Sequence, residues 1–241
     1  MEYTEFEALF RTACSQNALL APDSGTINAF YRFTEHLLKV NETTNLTAIR
    51  NIPDVIYKHY VDSLLVSAHI PAGARVLDIG CGPGFPSIPL AITRPDLSIT
   101  ALDSTAKKIT FVQESADLLR LDNLTAISGR AEDAAIRKKL GTFDVVVSRA
   151  VARMNVLCEL CIPYLKIDGH LIALKGAKAQ EELDEAQNAI KTLGGGEATL
   201  RSTALHINDT KEARGSIEVT KISPTPPKYP RVYATILKKP L

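Results

Sequence analysis

The run Val76-Leu77-Asp78-Ile79-Gly80-Cys81-Gly82-Pro83-Gly84-Phe85 sets a short apolar strand directly against a glycine turn, with Asp78 two residues before the first glycine. Gly80, Gly82 and Gly84 let the chain turn tightly and let a bulky ligand approach with no Cβ in the way. The spacing is G-x-G-x-G, whereas dinucleotide-binding turns carry G-x-G-x-x-G. A carboxylate at Asp78 attracts a cation and repels a pyrophosphate. The turn therefore suits a ligand such as S-adenosylmethionine (SAM), with its ammonium and sulfonium. Asp103 ends the next apolar run, about twenty residues after the glycines, where a carboxylate can take both hydroxyls of a ribose. Arg130-Ala131-Glu132-Asp133 follows the third run and suits the edge of an adenine. Singly these are an ordinary turn and ordinary strand ends. In order, at the carboxyl ends of successive strands, they point to an adenosyl ligand.

Such residues need a sheet to hold them. Short apolar runs at Arg75–Ile79, Ser98–Asp103, 125–128, 144–148 and 170–175 are predicted strands. Amphipathic segments at Ser87–Thr93, 105–121, 154–165 and 177–193 are predicted helices between them. Strands buried on both faces and alternating with helices make a parallel α/β sheet. Segments 197–207, 216–222 and 232–237 read as further strands finishing the sheet, with Pro224-Thr225-Pro226-Pro227 as an extended connector. Upstream, the chain reads as helical: 4–16, a helix opened by Ser24 as N-cap with Ile27, Phe30, Tyr31, Thr34, Leu37 and Leu38 along one face, and 53–66. The expected organisation is a helical extension over residues 1–70 and an α/β domain over 71–241.

Hydrophobic residues at 45% and charged residues at 23% of 241 are ordinary for a globular chain, so a core of normal size can be buried. No apolar run is long enough for a membrane span, and the acidic start lacks the order of a leader, so a cytoplasmic location is expected. Net charge is only +1, which by itself does not announce a nucleic-acid binder. The distribution says more: residues 221–241 carry Lys221, Lys228, Arg231, Lys238 and Lys239 with Tyr229 and Tyr233 and no acid, a composition suited to an anionic partner. Cys158 and Cys161 share a face of an apolar helix and have no second pair, so they read as core residues and no metal is expected.

Several stretches together resemble the RsmG (GidB) family of bacterial small-subunit rRNA methyltransferases, which form 7-methylguanosine. They are Asn45-Leu46-Thr47-Ala48-Ile49, His59-Tyr60-Val61-Asp62-Ser63-Leu64, the turn from Asp78 to Pro89, Leu102-Asp103-Ser104 with Lys107-Lys108, Ser148-Arg149-Ala150-Val151-Ala152, and Lys228-Tyr229-Pro230-Arg231. The resemblance implies a Rossmann-like class I SAM-dependent methyltransferase fold: a mostly parallel, doubly wound sheet with an antiparallel C-terminal strand and an N-terminal helical extension. It implies SAM contacts at Gly80, Phe85, Ala131, Glu132 and Arg149, with Asp103 on the ribose. Asp78, Gly82, Gly84 and Ser104 complete the expected cofactor-binding set. The implied partner is small-subunit rRNA or a ribosomal particle, acted on by a monomer.

The chemistry should occur beside the residues after the fourth strand. Enzymes that methylate exocyclic amines place an Asn/Asp-Pro-Pro-aromatic motif there, and cytosine C5 enzymes need a cysteine nucleophile. Ser148–Ala152 offers neither. Guanine N7 already carries a lone pair, so alignment suffices, and orientation alone supplies roughly 7–11 kcal/mol. Arg149 is the candidate for positioning the substrate, with a strand-end salt bridge as its plainer role. His59, Lys175, Arg231, Lys238 and Lys239 are the candidate RNA contacts. Two other functions stay open: a small-molecule methyltransferase, which would show a closed apolar acceptor pocket, and a SAM-binding ribosome-assembly factor without turnover.

Overall fold

A computed structural model describes residues 1–241. Five strands are parallel: β1 (Arg75–Ile79), β2 (Ser98–Asp103), β3 (Leu124–Ser128), β4 (Phe143–Arg149) and β5 (Leu165–Lys175). A long hairpin of β6 (Gly195–Ile207) and β7 (Thr210–Lys221) completes a seven-stranded sheet, β7 lying antiparallel to both β5 and β6. The order is β3-β2-β1-β4-β5-β7-β6. Chain order reverses on either side of β1, and a crevice at such a switch point is where open α/β sheets bind ligands. This is the parallel α/β sheet that the strand–helix alternation implied, with the antiparallel C-terminal finish of the class I methyltransferase fold that the resemblance implied.

Helices cover both faces. On one lie α1 (Tyr3–Gln16), α2 (Ser24–Thr44), a segment from α3 (Ile52–Asp54) through a π-helical stretch (Val55–Val61) to α4 (Asp62–Leu64), then α5 (Ser87–Thr93) and α6 (Ala106–Leu119). The other carries α7 (Ala134–Leu140), α8 (Met154–Cys161) and α9 (Ala179–Thr192). The first face holds the larger core, 37 buried residues against 27, and that core joins Phe6, Phe10 and Phe30 to Val76, Ile99 and Val145 of the sheet. Residues 1–70 thus share a core with the sheet. A chain of aromatic contacts, each worth about 0.5–1.5 kcal/mol, runs from Phe10 through Phe30 and Tyr60 to Phe85 behind the glycine turn.

Several expectations are corrected. The α2 N-cap is Asp23, whose carboxylate accepts from Thr26 N at 2.9 Å, and Ser24 is the first helical residue. The helix expected over 154–165 stops at Cys161, because Pro163 cannot extend the ladder and Leu165 pairs with Phe143 to begin β5. Segment 134–140, not expected as an element, is α7, capped by Asp133 on Ala135 N at 2.7 Å. Segment 232–237 is not a strand: Tyr233–Lys238 forms α10. Its β-branched residues favour a strand locally, but Tyr233 and Ile236 lie three apart and meet the second core together only on a helix. Ile236 is completely buried there. No helix is long and apolar enough to cross a membrane.

At the far end of the hairpin, Asn17 pairs with β6 as a neighbouring strand would: its amide donates to His206 O at 2.9 Å and its carbonyl accepts from His206 N at 2.8 Å. Tyr57 Oη donates to Gln16 Oε1 nearby at 2.7 Å. The N-terminal helices and the C-terminal hairpin are thereby joined beside the carboxyl ends of the strands.

Candidate active site

A cleft of about 1470 Å³ opens at the carboxyl ends of β1, β2, β4 and β5. That exceeds the roughly 300–1,000 Å³ of a small-ligand site, so it has room for more than one group. Its floor is the turn after β1. Gly80 N and Cys81 N donate to Leu102 O at 2.8 and 3.2 Å, which staples the turn to β2. Gly82 has φ +56°, and a Cβ built there meets nothing within 4 Å: its glycine leaves the space to a ligand. A Cβ at Gly80 would overlap Val151, and one at Gly84 would overlap Ile88, so those two glycines serve packing.

Asp103 faces the cleft, its Oδ2 accepting from Gly82 N at 3.0 Å and its Oδ1 from Thr105 N at 2.8 Å. Ser104, Ala131, Glu132 and Phe85 line the same cleft. Ala131 is held in place by Tyr164 Oη, which donates to its carbonyl at 2.9 Å. Asp78 is elsewhere. It is completely buried beneath the turn, where its Oδ2 accepts from both the amide and the hydroxyl of Ser87 and its Oδ1 has no partner. Burial pushes its carboxyl up to about 7. The expected direct contact between Asp78 and a cationic ligand is corrected: this side chain anchors α5 under the turn, and neither it nor Gly84 lines the cleft.

Arg149, its guanidinium 5.3 Å from the centre of the Phe85 ring, organises a charged wall. Its Nη1 donates to Lys58 O at 2.8 Å and Asp62 Oδ2 at 2.9 Å, and its Nη2 donates to His59 Nδ1 at 3.2 Å. A guanidinium only donates, so Nδ1 accepts and the imidazole proton sits on Nε2, which donates to Thr47 Oγ1 at 3.0 Å. Burial, reinforced by Arg149, holds His59 down at about 3. The neutral ring stacks on Phe85 with centroids 4.1 Å apart. Asp62 also accepts from Arg214 Nε at 2.7 Å.

The structure thus brings Gly80, Gly82, Phe85, Asp103, Ser104, Ala131, Glu132 and Arg149 to one cleft, together with His59. Three expected RNA contacts are corrected. His59 is a buried neutral ring and carries no charge to a phosphate. Lys175, its side chain 8% exposed, is spent on Glu182 Oε2 and Ala152 O, both at 2.7 Å. Arg231 grips the fully buried Glu159 through its amide, Nε and Nη2 at 2.6–2.8 Å. Lys238 and Lys239 stand exposed on and after α10. Lys58, Asp62 and Arg214 emerge as cleft residues; Asp62 shares a motif with His59, whereas nothing in the sequence around Arg214 singles it out.

The family model described as rRNA small subunit methyltransferase G matches residues 26–209. A Lactobacillus johnsonii protein named ribosomal RNA small subunit methyltransferase G is 45% identical over 217 residues, 88% of this chain and 90% of that protein. A Clostridium perfringens protein of the same name is 41% identical over 215 residues, 88% of this chain and 89% of that one. The chain belongs to the rRNA small subunit methyltransferase G family. Solved structures bear out its fold. An O-methyltransferase from Bacillus cereus in complex with SAH superposes with a TM-score of 0.56, 16% identity, and 91% of this chain and 100% of that one covered. A putative O-methyltransferase from Klebsiella pneumoniae gives 0.55 at 17% identity, covering 92% and 99%. The family match takes in α2, the turn and Arg149, and stops before Arg214.

Proposed function

We propose that this chain transfers a methyl group from S-adenosylmethionine to N7 of a guanine in small-subunit rRNA. The carrying observation is that the candidate bases and nucleophiles packed around Phe85 and the glycine turn are already committed. His59 is neutral, with both ring nitrogens bonded. Asp62 lies between two guanidiniums. Burial holds the Cys81 thiol well above its ordinary value. An acceptor that must lose a proton or meet a thiolate finds no help from these three groups. Guanine N7 needs neither: its lone pair attacks once it is placed, and placement is what this wall supplies.

The open space at Gly82, the carboxylate of Asp103 and the walls at Leu102 and Ala131 fit an adenosyl group. When bound, S-adenosylmethionine supplies an electrophilic methyl on its sulfonium. Asp103 can accept from the ribose hydroxyls while it keeps the turn closed, since each carboxylate oxygen has a further lone pair. Arg149, tied to His59 and Asp62, lies over Phe85 in the same cleft.

The names of the relatives support an RNA acceptor. So does the lining, an open polar wall that carries Lys58, Lys108, Arg149 and Arg214. A closed apolar pocket, which a small-molecule acceptor would call for, is not what these residues make. The test is incubation with methyl-labelled S-adenosylmethionine and either fractionated rRNA or the small ribosomal subunit, followed by nucleoside analysis. Label in 7-methylguanosine of the small-subunit RNA is the expected result. Label in adenine, cytosine or ribose overturns the N7 reading, and no label in either the free RNA or the small ribosomal subunit overturns the enzymatic one.

A further inference from the structure

Three cations from distant parts of the chain meet at the acceptor end of the cleft: Lys58 from the π-helical segment, Arg149 from the end of β4 and Arg214 from β7. Asp62 is the one carboxylate lining the cleft among them, and it is the hinge of the arrangement, accepting from Arg149 on Oδ2 and from Arg214 on Oδ1 with only 10% of its side chain exposed. It fixes how both guanidiniums are turned and keeps them from repelling each other. His59 beside them is neutral, so the cleft side of the cluster keeps an excess of two positive charges.

The remaining balance comes from two carboxylates outside the lining: Asp54, 3.1 Å from Lys58 Nζ, and Glu212 at the rim. Glu212 does not line the cleft and is 40% exposed. Its carboxylate bridges the same cations from outside, with Oε2 2.9 Å from Arg214 Nη2 and Oε1 3.8 Å from Lys58 Nζ. Both terminal nitrogens of Arg214 keep a second N–H, because each makes one hydrogen bond, to Ala213 O and to Glu212. A phosphodiester resembles a carboxylate in the two features that matter to this pair: a single negative charge and two free oxygens side by side, the shape a guanidinium fork accepts. Exchanging one for the other is neutral in charge.

We infer that Lys58 and Arg214, oriented by Asp62, form a seat for a backbone phosphate of the acceptor RNA, and that Glu212 occupies the seat until RNA displaces it. The inference rests on the reading that the acceptor is RNA. It explains why a buried carboxylate and an exposed one share Arg214: the first orients the guanidinium permanently, the second leaves. It also assigns a role to a residue that lies beyond the family match.

The test uses the full-length protein and small-subunit rRNA from cells lacking this gene, with methyl transfer, RNA binding across a salt series, and SAM affinity all measured. Arg214→Gln and Lys58→Gln should each raise KM for the RNA about tenfold, the worth of one charge-assisted contact. Each should flatten the dependence of log affinity on log salt by about 0.7. SAM affinity should not move. Glu212→Gln, an exposed substitution with little folding risk, should act in the opposite direction and lower KM several-fold, which a merely structural role would not do. Unchanged or weakened RNA binding in Glu212→Gln overturns the seat, as does a folded Arg214→Gln protein with wild-type KM and salt slope. A wild-type protein that methylates no rRNA overturns the RNA reading and the seat with it; a wild type that does, with variants that behave like it, overturns the seat alone.

Discussion

Asp103 answers two demands with one carboxylate. It closes the glycine turn by accepting from Gly82 N and Thr105 N, and it faces the cleft where a ribose would lie. Asp103→Ala should weaken SAM binding by about 1–3 kcal/mol, the range for charge-assisted hydrogen bonds lost from a buried site. Calorimetry checks this, and an unchanged Kd in a folded variant would move the ribose to another acid. Asp103 was legible in the sequence because its role follows from a strand end and a fixed offset from the glycines. Asp78 was misread by the same logic: proximity to the turn says nothing about which side of the sheet a carboxylate faces, and this one faces Ser87. Arg214 was not legible at all. It owes its place to Asp62, 152 residues away, and no local pattern encodes that meeting.

Elements were legible where period and punctuation agree. β1, β2 and α5 fall where the apolar runs and flanking turns put them. The C-terminal tail was not, because its short β-branched run obeys a tertiary demand. α10 docks Ile236 in the second core, and Arg231 clips the tail to α8 through Glu159, a carboxylate with no exposure. This clip is asymmetric, since the side chain of Arg231 is 23% exposed. Arg231→Gln strands a fully buried charge and should destabilise the protein by about 3–5 kcal/mol. Glu159→Gln leaves a guanidinium that reaches water and should cost less. Urea unfolding of the two variants measures the order, and equal losses would show that the pair acts only by packing. Neutralising the exposed Lys238 and Lys239 should leave stability unchanged, which separates the structural cation of this tail from the solvent-facing ones.

At the scale of the whole molecule, two buried groups, His59 and Asp78, load the fold with opposite pH dependences. His59, ordinarily near 6.5, is held at about 3 in the folded protein. As pH falls from 6.5 towards 3 the unfolded chain takes up a proton that the folded ring refuses, so stability is lost on acidification. Asp78 is the mirror case, ordinarily near 3.8 and pushed up to about 7 by burial. As pH rises from 3.8 to 7 the unfolded chain releases a proton that the folded carboxyl retains, so stability is lost on the way up. Across roughly pH 4–6.5 the two slopes oppose each other, and the wild-type midpoint of unfolding should be nearly flat there as far as this pair is concerned. Single variants should uncover each slope. Asp78→Asn removes the loss on alkalinisation and should leave a midpoint that climbs with pH; His59→Gln removes the loss on acidification and should leave one that falls. Urea titrations at half-unit steps between pH 4.5 and 7.5 read both trends. Variants whose slopes match the wild type would mean that these two groups reach water often enough to titrate as they do in the unfolded chain. Slopes that diverge as described would place a neutral imidazole in the cleft wall and a largely protonated carboxyl under the turn at mildly acidic pH. The protein would then meet its ligand with charge concentrated on Asp103 and on the Lys58–Arg149–Arg214 wall, and with none stored on the histidine between them.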